Sequence, residues 1–417
     1  MRNHPLHPEA MAKPAPSRRA VIALTLSLLL SFSAHAGGSA VGEQSASAAG
    51  QGGTGAARPG DPSAAWYNPA ALADGEGWRT GAGMLAISPS IEARAADGSW
   101  SSRTQSPVKT PPHVYLSFAR RDLLAGVSVN VPFGSSVMWP DEWQGRYESV
   151  DSILQVVRVA PFAGYRMGRV RVAAGPHVDI ATLALHRKLD MVDTQGDVRL
   201  DLAGTGIGAH AALFVDASDS LALGFVAKSR TVLPLRGNAD FETPDAFTGK
   251  APDQRASTEI TVPDLFTAGV AWRPSSRWTL SGDVGVATWD VWDEIRVDFS
   301  DDETPDNVTK PAWQTTVSLR AGVERQLGSR AVVRGGLVYD PSPAPASTLA
   351  PNAPDADRTG VTAGLGLRVR EDLSVDAFYE YLHLAARRSA NPESLDATYG
   401  GRAHFAGAGL RWRFGGR

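Results

Sequence analysis

From His404 to Phe414 the chain alternates with a period of two. His404, Ala406, Ala408, Leu410, Trp412 and Phe414 fall on one face, and Phe405, Gly407, Gly409, Arg411 and Arg413 fall on the other. Small and apolar residues leading to Trp-x-Phe, opposite a face that carries two arginines, describe a strand with lipid on one side and water on the other. The same alternation predicts strands at about 77–95, 110–121, 123–133, 148–166, 169–192, 197–217, 219–242, 256–273, 277–299, 312–327, 330–340, 358–371, 372–385 and 399–414. Within 277–299, Trp278, Leu280, Val284 and Val286 share a face while Thr279, Ser281 and Asp283 share the other. Trp292 lies fourteen residues beyond Trp278 on the same face. At ~3.3 Å per residue and ~40° tilt that separation is roughly 35 Å, so the two tryptophans are expected at opposite interfacial girdles.

Short turns, such as Ala217-Ser218-Asp219, Leu327-Gly328-Ser329 and Arg370-Glu371-Asp372, alternate with the long polar loops 243–256, 300–311, 341–357 and 386–398. An even strand count, with short turns at one end and long loops at the other, predicts an all-β fold: a transmembrane antiparallel β-barrel of about 14 strands. The N-terminus agrees. Arg18-Arg19, the apolar run Ala20–Leu30 and Ala34-His35-Ala36 make a secretory signal over 1–36, and the run is too short to span a bilayer as a helix. Cleavage there leaves 417 − 36 = 381 residues for Sec export to the outer membrane of a Gram-negative cell.

Composition sharpens this picture in three places. A mean hydropathy of -0.17 would ordinarily indicate a soluble protein, but strands that meet lipid with alternate residues escape hydropathy scales. The 11 tryptophans and 42 glycines suit interfacial belts and turns. Zero cysteines exclude a disulfide framework or thiolate metal site, and a net charge of -3 gives no reason to expect nucleic acid.

Residues 37–75 follow neither period. They are built from Gly, Ala and Ser, with G-Q-G-G-T-G at 50–55, and Trp66-Tyr67 stand beside the fixed turn Asn68-Pro69-Ala70. Bulky aromatics next to a turn predict a compact plug over 37–75, with the barrel occupying 76–417. Several strings in order then carry a resemblance: N-P-A at 68–70, P-F-G at 132–134, W-Q-G-R-Y at 143–147, V-P-D-L-F at 262–266, Y-D-P-S-P at 339–343 and A-T-Y-G-G-R-A-H-F at 397–405. Together they resemble the FadL-type outer-membrane transporters of long-chain fatty acids and other hydrophobic compounds. The resemblance implies a fourteen-strand barrel closed by an N-terminal hatch, here with Gly50, Gly52, Asn68, Pro69 and Ala70. It also implies capture at the outer face and an inward kink of the third strand that opens sideways into the membrane. That strand carries Gly126, Pro132, Phe133 and Gly134. Gly126 tolerates a bend, Pro132 cannot donate to a ladder, and Gly134 is free to take dihedrals closed to other residues.

No phosphate-binding loop, H-E-x-x-H or spaced zinc ligand set occurs, so neither a catalytic residue, a cofactor nor a metal is expected. Lys228, Arg230 and Arg236 stand at even spacing and are expected to share the lumenal face, where they would meet a substrate carboxylate. The sequence thus predicts a monomeric, passive importer whose partners are a hydrophobic small molecule, outer-membrane lipid and lipopolysaccharide. An importer of aromatic hydrocarbons, an outer-membrane lipase or esterase, and a hydrophilic porin are the alternatives.

Overall fold

The computed structural model describes Gly38 and residues 40–415, apart from 75, 192–193, 246–251 and 302–303. The expected secretory signal lies outside the described residues.

Alternation along the chain produces fourteen antiparallel wall strands laid side by side in sequence order. They are β1 (Gly77–Ala95), β2 (Ser101–Arg103 and Pro112–Arg120), β3 (Leu123–Met138), β4 (Asp151–Met167) and β5 (Val170–Asp190). Next come β6 (Gln195–Asp216), β7 (Leu221–Lys228 and Thr231–Glu242), β8 (Gln254–Val262 and Leu265–Ser275), β9 (Trp278–Ala287 and Ile295–Phe299) and β10 (Asn307–Thr309 and Thr316–Leu327). β11 (Ala331–Asp340), β12 (Arg358–Arg368), β13 (Leu373–Arg388) and β14 (Ala397–Phe414) complete the wall. β14 pairs β1 from Trp78↔Phe414 to Ala95↔Ala397, so the sheet closes on itself. Closure matters because an unpaired backbone group facing hydrocarbon costs several kcal/mol, and a barrel has no edge strand.

The two faces of the wall differ as the period of two requires. Leu116, Ile180, Ile207, Phe225, Leu280, Leu337, Val361 and Leu410 are exposed on the outside, Ile207 by 75%. Leaving one such side chain in water forgoes about 1.5–3 kcal/mol, a cost that a hydrocarbon surround removes. On β14 the outward set is the one read from sequence, while Tyr399, Ala403 and Phe405 are buried and Arg411 turns inward. Trp78, Trp272, Trp278, Trp412 and Phe414 cluster outside at the short-turn end, with Trp78 stacked on Phe414 at 6.2 Å.

The opposite girdle does not include Trp292. A 3-10 turn at Trp289–Val291 interrupts β9, so counting by twos fails across it. Trp292 instead stacks on Trp313 at 4.4 Å and donates from Nε1 to the Thr261 carbonyl at 2.7 Å, inside the wall. β5 and β6 run for 21 and 22 residues, well beyond the ~9–11 that a membrane strand needs. The surplus rises at the long-loop end, where Trp139 stacks on Trp143 at 4.2 Å and caps an apolar cluster with Leu349 and Tyr399.

Candidate functional site

Residues 40–74 lie within the ring of strands, and from Glu43 to Ala57 every side chain is buried. Two short helices, α1 (Ala46–Ala49) and α2 (Ala64–Tyr67), and a 3-10 turn at Pro69–Leu72 are all that the segment forms. Beyond its own turns, the segment's backbone also bonds to the wall. Gly55 and Ala56 donate their N–H groups to Asp283 Oδ2 at 2.8 and 3.0 Å, and Gly52 donates to Thr362 Oγ1 at 2.9 Å. Small residues permit this approach. A Cβ on Gly50 would lie 2.8 Å from the Gly364 Cα, and Gly52 holds a left-handed φ of 73° against the backbone of β10 and β11.

Asn68, wholly buried, explains the N-P-A string. Its Nδ2 donates to the Ala56 and Leu213 carbonyls at 2.6 and 3.0 Å, and its Oδ1 accepts from Ala70 N at 3.1 Å. Pro69 opens the 3-10 turn where a missing N–H costs nothing, and Ala70 is buried in a cluster with Leu72, Tyr115 and Phe214. Lower down, burial opposes the charge of Asp61, yet Arg411 and Arg58, with the Ser47 and Ser63 hydroxyls, hold its carboxyl below the ordinary range.

Beside this segment the ladder between β2 and β3 is broken. β2 and β3 pair from Arg120↔Leu123 to Val114↔Val129 and then part. Among the described residues their next hydrogen bonds are Ser106 Oγ to the Ser136 carbonyl at 2.9 Å and Gln105 N to the Met138 carbonyl at 2.7 Å. Between these points Asn130, Val131, Pro132 and Phe133 are buried in succession, which a flat strand cannot achieve, and the register with β4 slips by one residue. The strand therefore bends inward there. Its freed edge meets the N-terminal segment: Val41 N donates to the Pro132 carbonyl at 2.8 Å, Gln44 Nε2 to the Val131 carbonyl at 2.9 Å, and Ala40 bridges Phe133.

Pro132 and Phe133 thus sit in the bend, while the two glycines expected with them do other work. Gly126 lies in regular ladder, where a Cβ would strike the Phe162 ring at 2.5 Å. Gly134 has no left-handed φ, and the nearest atom to an added Cβ is 3.7 Å away. Its freedom is not what makes the bend; the proline and the bulge are.

Around the bend the lumen has two linings. Toward the long loops it is apolar, with Phe133 edge-on to Trp289 at 6.0 Å and Leu154, Leu183, Leu202, Leu233 and Ile260 projecting from β4 to β8. Next to it runs a polar stripe. Asn130 neighbours Arg158, whose guanidinium forks onto Asp179 at 2.7 Å for both bonds. His177 donates to or accepts from Thr231 at 3.0 Å and stacks on His210 at 6.2 Å. His210 is the register partner of Lys228, whose Nζ stands 3.2 Å from the Trp66 ring centre. Asn130 Nδ2 and Oδ1, Ser128 Oγ and both His210 nitrogens are buried without a hydrogen-bond partner, and Lys228 has no carboxylate partner among the described residues. Such groups favour a polar guest.

The three basic residues expected together are separated. β7 breaks at Ser229–Arg230, after which Thr231, Leu233 and Leu235 face inward. Arg236 is consequently on the outer face, and Arg230 is half-exposed and locked onto Asp264 at 2.9 and 2.7 Å. Only Lys228 of the three reaches the lumen. Sequence reading put Asp283 on the polar face of its strand but missed its bond to the N-terminal segment, and it missed Arg158 and Asp179, which pair across neighbouring strands. Among the described residues no group of His, Cys, Asp or Glu is arranged to hold a metal.

Comparison with known proteins assigns this architecture. Residues 27–414 match the family described as outer membrane protein transport protein (OMPP1/FadL/TodX), and the chain belongs to that family. It is 24% identical over 405 residues to the putative outer membrane protein NMB0088 of Neisseria meningitidis, covering 84% of this chain and 87% of that one. It is 24% identical over 165 residues to a long-chain fatty acid transport protein of Escherichia coli, covering 39% of this chain and 35% of that protein. The fold superposes on a Pseudomonas aeruginosa FadL homologue with a TM-score of 0.81 at 17% identity, over 91% of this chain and all (100%) of the other. This is an outer-membrane β-barrel of a family that transports hydrophobic compounds, and members of the family are transport channels rather than enzymes.

Proposed function

We propose that this protein imports long-chain fatty acids passively, with residues 40–74 as a hatch and with exit sideways between β2 and β3. The observation that carries this reading is the broken β2–β3 ladder, whose free edge on β3 is occupied by Val41 and Gln44 instead of a wall strand. An acyl chain enters past Trp139 and Trp143, follows the apolar lining to Phe133, and leaves when the hatch residues release the edge. Leaving through the aqueous mouth instead would re-expose the chain at about 0.8 kcal/mol per methylene, so the lateral route is favoured. Lys228, the register partner of His210 and without a carboxylate partner among the described residues, supports a substrate that carries a carboxylate. The partial similarity to a fatty acid transport protein supports the same substrate class.

The test is uptake of an isotopically labelled long-chain fatty acid by cells that lack their own importer and express this chain. Accumulation above the empty-vector control is expected. Entry of a neutral aromatic hydrocarbon without the fatty acid would replace this substrate with the aromatic one, and ester hydrolysis by the purified barrel would point to a lipase.

A further inference from the structure

At the short-turn end, beneath the N-terminal segment, the barrel holds a cavity of about 270 Å³ roofed by Arg58–Pro62. Its arginines form two tiers. In the upper tier Arg58 and Arg334 share Glu324 at 2.9 and 2.8 Å, Arg334 also meets Asp376 at 2.7 Å, and Arg411 spans Asp376 and Asp61 at 2.9 and 3.3 Å. These charges are matched. The lower tier is not: among the described residues the Arg413 guanidinium donates only to the Gly60 carbonyl at 3.0 Å, and Arg273, Arg330 and Arg368 have neither an ion pair nor a side-chain hydrogen bond.

These lower arginines line one space from different strands. Arg368 N, at the end of β12, donates at 2.7 Å to the carbonyl of Arg330 in the β10–β11 turn, which sets those two side by side. Asp372, in the same lining, is already committed to Arg370 at 2.6 Å and Trp412 Nε1 at 2.8 Å. Glu371 is the remaining carboxylate of the lower lining, against four cations. A planar carboxylate is satisfied by a single guanidinium fork, whereas a tetrahedral oxyanion accepts from several directions and carries the charge to match.

We propose that this vestibule binds a phosphate-type oxyanion, either free phosphate or the headgroup of an anionic phospholipid. The bound group would lie between the wall arginines and the roof, touching Arg58 and the Gly60 loop of the N-terminal segment. This site is separate from the lateral route and independent of the transported substrate.

The experiment uses the full-length barrel in uncharged detergent and equilibrium dialysis against radiolabelled inorganic phosphate. Wild type should bind, Arg330→Gln/Arg368→Gln should bind about tenfold more weakly or worse, and the Lys/Lys variant should retain part of the affinity. Thermal unfolding of each variant establishes that the barrel is intact. Nanodiscs separate the sources. If phosphatidylglycerol in a phosphatidylethanolamine disc displaces the phosphate, the native occupant is a lipid headgroup; if phosphate binding is indifferent to the lipid, it is free phosphate. Absence of phosphate binding to wild type in detergent, or equal binding by the folded Gln/Gln variant, overturns the proposal.

Discussion

Asp283 offers the sharpest perturbation of the N-terminal segment. One of its oxygens accepts both Gly55 N–H and Ala56 N–H, in the buried stretch that runs beside Arg320 and Glu324. Asp283→Ala leaves two buried donors without an acceptor, each worth about 1–3 kcal/mol. Water admitted by the lost side chain offsets part of this, so a net loss of about 2–3 kcal/mol is expected. If residues 40–74 plug the lumen, that shifts the docked-to-undocked ratio by roughly thirty- to a hundred-and-fifty-fold. Planar-bilayer recording should show open events whose frequency rises by that factor, while Asp283→Asn, which keeps an acceptor oxygen in place, should stay near wild type. Unchanged conductance in a folded Asp283→Ala barrel would refute the idea that these two bonds hold a plug.

Lys228→Met should weaken fatty acid binding by roughly 1.5–3 kcal/mol and leave a neutral alkane unaffected, measured by displacement of a fluorescent ligand; equal loss for both ligands would mean damaged packing. Arg158→Met strands a buried Asp179 and should destabilise the barrel by about 3–5 kcal/mol in urea, whereas removing both partners together should recover most of the loss. Asp61 has its carboxyl held below the unfolded value, so its contribution is fully present above the ordinary carboxylate value of ~3.9 and is lost as pH falls from there through the lowered value. Closure should therefore be flat between about pH 8 and 5 for wild type, and Asp61→Asn should conduct more than wild type throughout that window.

Much of the fold was legible because membrane strands obey one simple rule. The outward set His404 to Phe414 follows from counting by twos, and the wall strands fall close to where that count puts them. The same rule explains the failures. A two-residue break at Ser229–Arg230 inverts every later position on β7, so Arg236 left the lumen, and a 3-10 turn did the same to Trp292. Arg158 and Asp179 carried no local signature because their pairing depends on which strands neighbour one another, and Asp283 was legible as lumen-facing but not as the acceptor for Gly55 and Ala56. Asn68-Pro69-Ala70 was visible as a string, yet its bond to Leu213 needed the closed ring.

The central claim is that substrate leaves between β2 and β3 once residues 40–44 release the edge of β3. Ala40 and Phe133 are antiparallel bridge partners, a geometry with Cα atoms roughly 4.5–5.5 Å apart and therefore open to a disulfide. The chain has no cysteine of its own, so Ala40→Cys/Phe133→Cys reports cleanly. With the disulfide verified, cells should still bind labelled fatty acid at the surface but fail to take it up, and reduction should restore uptake. Undiminished uptake through the intact disulfide would contradict the lateral route.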